Sequence, residues 1–268
     1  MLAEWIEHLV TPCPRPVRAM GYLRELIGIK ARHARCRAAW APHLERTRAV
    51  ILRAAALCPR KRKAVMLGSG LLYDVPLDEL AGQFREVVLV DLVHPLGSLW
   101  RGRRHENVRL LTADVTATIA EVYRVARTPG ASLPRAAPSL FCDDPEVDLV
   151  ASVNLASQLP YVPTTYLVRK GVHPADAIDA YGRDLISAHF DYLRRLPGVV
   201  ALVADLEKLT LNEAGRVTQR ASALRHVPLP WKGEDWVWRL APAPEADPHY
   251  SYYRRVVGIP DIKRAARA

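Results

Sequence analysis

The chain has 268 residues, 50% hydrophobic and 25% charged, which suits one full α/β domain with a modest addition and excludes wholesale disorder. Its formal net charge of +10 would suit an anionic small molecule or a nucleic acid, although an Arg-rich composition alone gives the same sign. No apolar run approaches the ~20 residues that cross a bilayer, residues 1–7 carry acids where a signal peptide has bases, and Cys13, Cys36, Cys58 and Cys142 show no Cys-x-x-Cys spacing, so the expectation is a cytoplasmic protein with reduced thiols and no metal.

Residues 1–60 read as an N-terminal helical module, a lid or an interface. Val17, Met20, Leu23, Leu26 and Ile27 recur at a helical period, with Gly28 as the expected stop. A second stretch carries Ala34, Ala38, Ala39 and Trp40, and Pro42 permits a new helix with Leu44, Thr47, Val50, Ile51 and Leu57 on one side. Cys58-Pro59 ends it. The run Arg60-Lys61-Arg62-Lys63 reads as a solvated lead-in to a strand, or alternatively as a nucleic-acid contact.

Residues 61–268 change character. Short apolar runs at 64–67, 87–90, 108–111, 148–153 and 199–204 read as strands buried on both faces. Helical stretches separate them, the clearest at 175–196 between Pro174 and Pro197-Gly198. That alternation predicts a mainly parallel sheet. Residues 128–145 read as a Pro-rich surface loop. The runs 235–240 and 252–259, joined by a Pro-rich link, are expected to pair antiparallel at one sheet edge.

The first βα turn, Gly68-Ser69-Gly70, follows a buried strand, so the backbone can turn sharply and approach a ligand. Asp74 and Pro76 suit the start of the next helix, several residues later. No third glycine opens that helix, which favours a ligand without phosphates over a dinucleotide. Asp91 ends the second strand about twenty residues on, where a carboxylate can accept from both hydroxyls of a ribose. Asp114, just past the third strand, could accept from an adenine amino group with Val115 covering the ring, or Asp114 or Thr116 could cap a helix; both roles can coexist. The fourth strand runs into Asn154, Ser157, Gln158 and Tyr161, at the ligand end of such a sheet.

In that order, the glycine turn, Asp91, Asp114, the fourth-strand segment and the closing hairpin resemble the class I S-adenosylmethionine-dependent methyltransferase superfamily, from about residue 64 to 259. The resemblance implies a mainly parallel seven-stranded sheet flanked by helices with a C-terminal antiparallel hairpin, and S-adenosylmethionine as methyl donor. It places Gly68, Ser69 and Gly70 behind the methionine part, Asp91 at the ribose, Asp114 and Val115 at the adenine, and Asn154 near the transferred group. Met66 stands where the family often has an acid, and the fourth-strand segment lacks the Asn-Pro-Pro-aromatic pattern of enzymes that methylate amino groups of nucleic-acid bases.

Methyl transfer needs alignment, and a base when the acceptor is a hydroxyl or a protonated nitrogen. Asn154, Gln158, Tyr161 and His173 are the candidates, with His189 and Tyr181 behind them as residues that could instead pack or cap. Trp231, Trp236 and Trp238, with Tyr250, Tyr252 and Tyr253, could wall an acceptor pocket, but shared strand faces favour packing. The expected activity is methyl transfer to a small molecule. The alternatives are an RNA methyltransferase that uses Arg32, Arg35, Arg37, Arg46, Arg48 and Arg53 on phosphates, and a non-catalytic binding protein that is motivated by Met66. An NAD-dependent oxidoreductase is disfavoured by the glycine pattern. Homo-oligomerisation through the N-terminal helices is a further expectation.

Overall fold

The computed structural model describes residues 11–266, so the stretch 1–7 read above lies outside them. Three helices come first: α1 (Arg15–Met20), α2 (Tyr22–Arg35) and α3 (Arg37–Leu57). Gly21 separates the first two in the left-handed region, at φ +109°, where glycine carries no Cβ penalty. The stop expected at Gly28 does not occur; α2 runs through it. A glycine in a helix interior costs about 1 kcal/mol, and the packing of Leu23, Leu26 and Ile27 into the core offsets it. Pro42 likewise lies inside α3 rather than at a new start. Cys58 turns extended and ends α3 before Pro59, as expected.

The elements that follow are β1 (Lys63–Leu67), α4 (Leu77–Ala81), β2 (Glu86–Asp91), α5 (Leu96–Gly102), β3 (Val108–Thr112), α6 (Ile119–Val125), β4 (Val147–Val153), α7 (Tyr161–Lys170), α8 (Ala175–Arg195), β5 (Val199–Leu211), β6 (Val217–Ser222), β7 (Glu234–Ala241) and β8 (Ser251–Ile259). The strands lie in the order β3-β2-β1-β4-β5-β8-β7. The first five are parallel, and β8 is antiparallel to both β5 and β7. This is the seven-stranded path with its closing hairpin. One further strand, β6, pairs antiparallel with the distal half of β5, because β5 continues seven residues past the expected end at Ala204.

Successive residues of a strand face opposite sides, and the core divides accordingly. Val65, Leu67, Val88, Val90, Val150 and Val200 face the layer that contains Ile178, Leu185 and Phe190 of α8. Ala64, Met66, Leu89, Leu149 and Ala201 face Ile51, Ala54 and Ala55 of α3. Further along α3, Trp40, Leu44 and Val50 pack on Trp236, Trp238 and Val256 of the hairpin. The N-terminal helix α3 is thus one of the two layers that bury the sheet. Strand β1 has β2 on one side and β4 on the other, and the chain leaves it in opposite directions. A crevice opens beyond the carboxyl ends of strands at such a switch point.

Candidate active site

A cavity of about 550 Å³ occupies that crevice. Gly68, Ser69 and Gly70 line it behind β1, Asp91 at the end of β2, Ala113 to Thr116 after β3, and Asn154 after β4. Helix α2 runs along it with Tyr22, Leu26, Ile29 and Arg32, an i, i+4, i+7 spacing on one helical face.

The glycine turn is closed on itself. The N–H groups of Gly68 and Ser69 both donate to the Val90 carbonyl, at 3.0 and 3.1 Å. The N–H of Gly70 donates to Asp91 Oδ2 at 2.7 Å. Gly68 has φ +77°, and a Cβ there would lie 3.2 Å from the Val153 carbonyl oxygen. Asp91 Oδ1 accepts from the N–H of Leu92 at 2.7 Å and of Val93 at 3.4 Å. Burial pushes the Asp91 carboxyl up, while the Gly70 N–H and His94 pull it back.

Asp114 behaves as the helix cap. Its Oδ1 accepts from the N–H and hydroxyl of Thr116 at 2.8 and 2.7 Å, and its Oδ2 from the N–H of Thr118 and Ile119 at 2.9 and 2.8 Å. A carboxylate offers about four acceptor positions, and all are filled within this loop. The side-chain contact to an adenine amino group expected of Asp114 therefore has no lone pair left to make it. Val115 lines the cavity and is 8% exposed.

Asn154 sits in the left-handed region, at φ +51°, and is the centre of a buried polar chain. Its amide Nδ2 donates to Asp74 Oδ2 at 2.9 Å and stands 3.2 Å from His43 Nε2. Trp236 Nε1 donates to His43 Nδ1 at 3.1 Å. An indole can only donate, so the neutral imidazole carries its proton on Nε2. Burial depresses the His43 pKa to about 3, and the ring stays neutral. Asp74 is drawn into this chain and does not cap α4, which has no side-chain cap. Burial pushes its carboxyl up, against the hydrogen bond from Asn154. His43 was absent from the sequence candidates, Asp74 was read as the start of a helix and Trp236 as strand-face packing; their separation along the chain leaves no local signal that they meet.

Beyond Asn154 the cavity continues under β5 and β8. Ser157, Gln158 and Tyr161 line it, as expected, with Tyr161 at the rim and 52% exposed. Asp205, Lys208, Tyr252 and Arg254 join them from the strands. Asp205 is 6% exposed; its Oδ2 accepts from the Ser157 hydroxyl at 3.1 Å, and burial pushes its carboxyl up against the nearby Arg254. Three other candidates lie elsewhere. His173 Nε2 is 3.1 Å from the Val125 carbonyl, at the end of α6. His189 is buried against Ser152 Oγ at 2.9 Å, with its pKa depressed to about 4 by burial. The Tyr181 hydroxyl meets Thr118 Oγ1 at 2.8 Å in the core. None of the three lines the cavity. Trp236 and Trp238 pack against α3, as their shared face indicated: the Trp238 ring stacks on His43 at 4.1 Å and meets Trp40 edge-on at 4.8 Å.

Most of the cations named for phosphate contact are engaged within the protein. Arg62 bonds Asp148 and Glu146, Lys63 bonds Asp144, and Lys61 bonds the carbonyls of Ala55 and Cys58. Arg46 and Arg53 both pair with Glu234, Arg35 with Glu245, and Arg48 with the Tyr73 carbonyl. Among the described residues no group of His, Cys, Asp and Glu is arranged to hold a metal, and no helix is long and apolar enough to cross a membrane.

No protein-family profile matches the chain, and no curated protein matches it. Solved structures do. A Burkholderia thailandensis 1,6-didemethyltoxoflavin N1-methyltransferase with bound S-adenosylhomocysteine is 16% identical, covers 92% of this chain and 91% of its own, and has a TM-score of 0.39. The Bradyrhizobium japonicum N-methyltransferase NodS, also with S-adenosylhomocysteine, is 12% identical over 80% of this chain and 86% of its own, with a TM-score of 0.33. A Synechocystis magnesium protoporphyrin IX methyltransferase with S-adenosylmethionine is 11% identical over 96% and 90%, also at 0.33. At these scores the likenesses are slight, and the chemistry rests on the site itself.

Proposed function

We propose that the chain is an S-adenosylmethionine-dependent methyltransferase that acts on a small molecule. The observation that carries this reading is convergence. The glycine turn, Asp91, the loop after β3 and Asn154 are far apart in sequence, and all line one cavity at the switch point.

The residues present suit that donor. Asp91 keeps one acceptor position beyond the three it gives to N–H groups, enough for a ribose hydroxyl. Val115 gives the base an apolar cover. Met66 is fully buried in the apolar layer under α3, so an acid there would face that layer; Asp74, one of several carboxylates that line the cavity, is suited to the donor's ammonium. A dinucleotide is poorly served, because every N–H of the glycine turn is already bonded within the protein and α4 begins only at Leu77, which leaves no amide cradle for a pyrophosphate.

The donor supplies an electrophilic methyl group on a sulfonium. The protein's task is to align the acceptor and exclude water. Asn154, held by Asp74, fixes the floor where the two halves of the cavity meet. Gln158 and Tyr161 orient the acceptor from the rim. Helix α2 acts as a lid over the cavity. A nucleic-acid acceptor has less support, since most of the cations it would use are paired internally.

Isothermal titration calorimetry with S-adenosylmethionine and S-adenosylhomocysteine tests the reading. Micromolar binding of both, abolished by Asp91→Ala, is the expected result. No binding of either would turn attention to a non-catalytic role.

A further inference from the structure

The half of the cavity beyond Asn154 holds cations that the donor reading leaves unused. Arg254 of β8, Lys208 of β5 and Arg32 of α2 all line it. The Lys208 ammonium makes no hydrogen bond or ion pair among the described residues. Arg254 donates from one nitrogen to the Tyr253 carbonyl at 3.0 Å, and its Nε stands 3.9 Å from Asp205 Oδ2. Arg32 Nε is buried without a hydrogen-bond partner, 3.9 Å from Glu245. That carboxylate is already held by Arg35 through bonds of 2.7 and 2.9 Å.

Like charges that converge in a partly desolvated space repel one another. Burial depresses the Lys208 and Arg254 pKa values, and Arg254 acts further on Lys208, as Arg32 does on Arg254. Asp205 opposes both shifts and is the carboxylate beside Arg254, as Glu245 is beside Arg32. Glu25 also lines the cavity, but seven residues back along α2, about 10 Å of helix. Cations with unsatisfied donors in a concave site favour an anionic occupant. The walls around them are apolar, with Ile29, Leu240 and the rings of Trp238 and Tyr252.

We propose that this half of the cavity binds a small organic anion, its carboxylate or phosphate group held by Lys208 and Arg254 with Arg32 behind them, and its body against the apolar wall. The inference rests on the donor reading only in naming that molecule the methyl acceptor; recognition of the anion does not depend on it.

The test is a calorimetric titration of the full chain with benzoate and with inorganic phosphate, each with and without S-adenosylhomocysteine, alongside a 20-nucleotide single-stranded RNA. The expected result is saturable, salt-sensitive binding of benzoate or phosphate, weakened about tenfold in Lys208→Gln. The affinity of that variant for S-adenosylhomocysteine should stay unchanged. Arg254→Gln is the second variant. Absence of saturable binding by either anion overturns the proposal. So does binding that neither substitution alters, and so does binding of the RNA alone. Anion binding that responds to Lys208→Gln without any binding of S-adenosylhomocysteine would support this site and sink the donor reading.

Discussion

Asp91 concentrates the donor reading in one side chain. Its Oδ2 receives the Gly70 N–H at 2.7 Å, and its Oδ1 receives Leu92 and, at longer range, Val93. An amide in its place would have one acceptor oxygen instead of two, so Asp91→Asn cannot hold both the turn and a ribose. We expect it to weaken S-adenosylhomocysteine binding about tenfold or more, the worth of a charge-assisted hydrogen bond. Asp91→Ala goes further and leaves the Gly70 N–H without a partner, at a cost of about 1–3 kcal/mol in folding stability. Calorimetry and urea unfolding together separate the two effects. Unchanged affinity in Asp91→Asn would remove the ribose role from this residue.

At the scale of elements, what the sequence showed and what it hid have the same cause. Strands β1, β2 and β4 were legible because burial on both faces demands apolar runs; β3, also read as buried on both faces, is instead the sheet's edge and has no buried residue, and the structure extends each expected run by a residue or so. The far half of β5 was not legible. Beyond Ala204 it alternates apolar with charged residues, Asp205, Glu207 and Lys208 among them, and its partner β6 is exposed along almost its whole length. Backbone ladder bonds hold that hairpin, and they leave no hydrophobic signature. Asp205 and Lys208 were not read as cavity residues for this reason, while Asn154, Gln158 and Tyr161, which also line the cavity, could be named because they follow a strand that could be read. Asp91 and the glycine turn were legible from spacing alone, whereas the saturation of Asp114 needed the loop's geometry. The docking of α3 was also hidden, and it depends on an absent side chain. A Cβ on Gly258 would lie 2.6 Å from Val50 Cγ2 and 2.8 Å from the Trp236 ring. Overpacking of this kind costs about 1–3 kcal/mol, so Gly258→Ala should lower the urea midpoint accordingly. A midpoint equal to that of the wild type would show that α3 can slide on the hairpin without loss.

Over the whole molecule, two buried neutral histidines tie stability to pH. Burial depresses His43 to about 3 and His189 to about 4, against an unfolded value of about 6.5. Below 6.5 the unfolded chain therefore binds protons that the folded chain refuses, and stability falls with pH until the folded values are reached. Each such histidine contributes a slope that approaches about 1.4 kcal/mol per pH unit in the middle of that window. Asp74, Asp91 and Asp205, whose carboxyls burial pushes up, act with the opposite sign: they detract from stability above the unfolded carboxyl range, and that loss is relieved as pH falls through their folded values. The net acid slope of the wild type is thus a difference, and the histidine part is isolated by substitution. His189→Gln keeps a polar partner for Ser152 Oγ and removes the titration. Urea unfolding at steps between pH 7 and 5 should show an average slope shallower than that of the wild type by about 1 kcal/mol per unit, since the unfolded histidine is only partly protonated near pH 7. Parallel slopes would mean that His189 takes up its proton in the folded state, and that the layer between β4 and α8 admits a charge that its burial argues against.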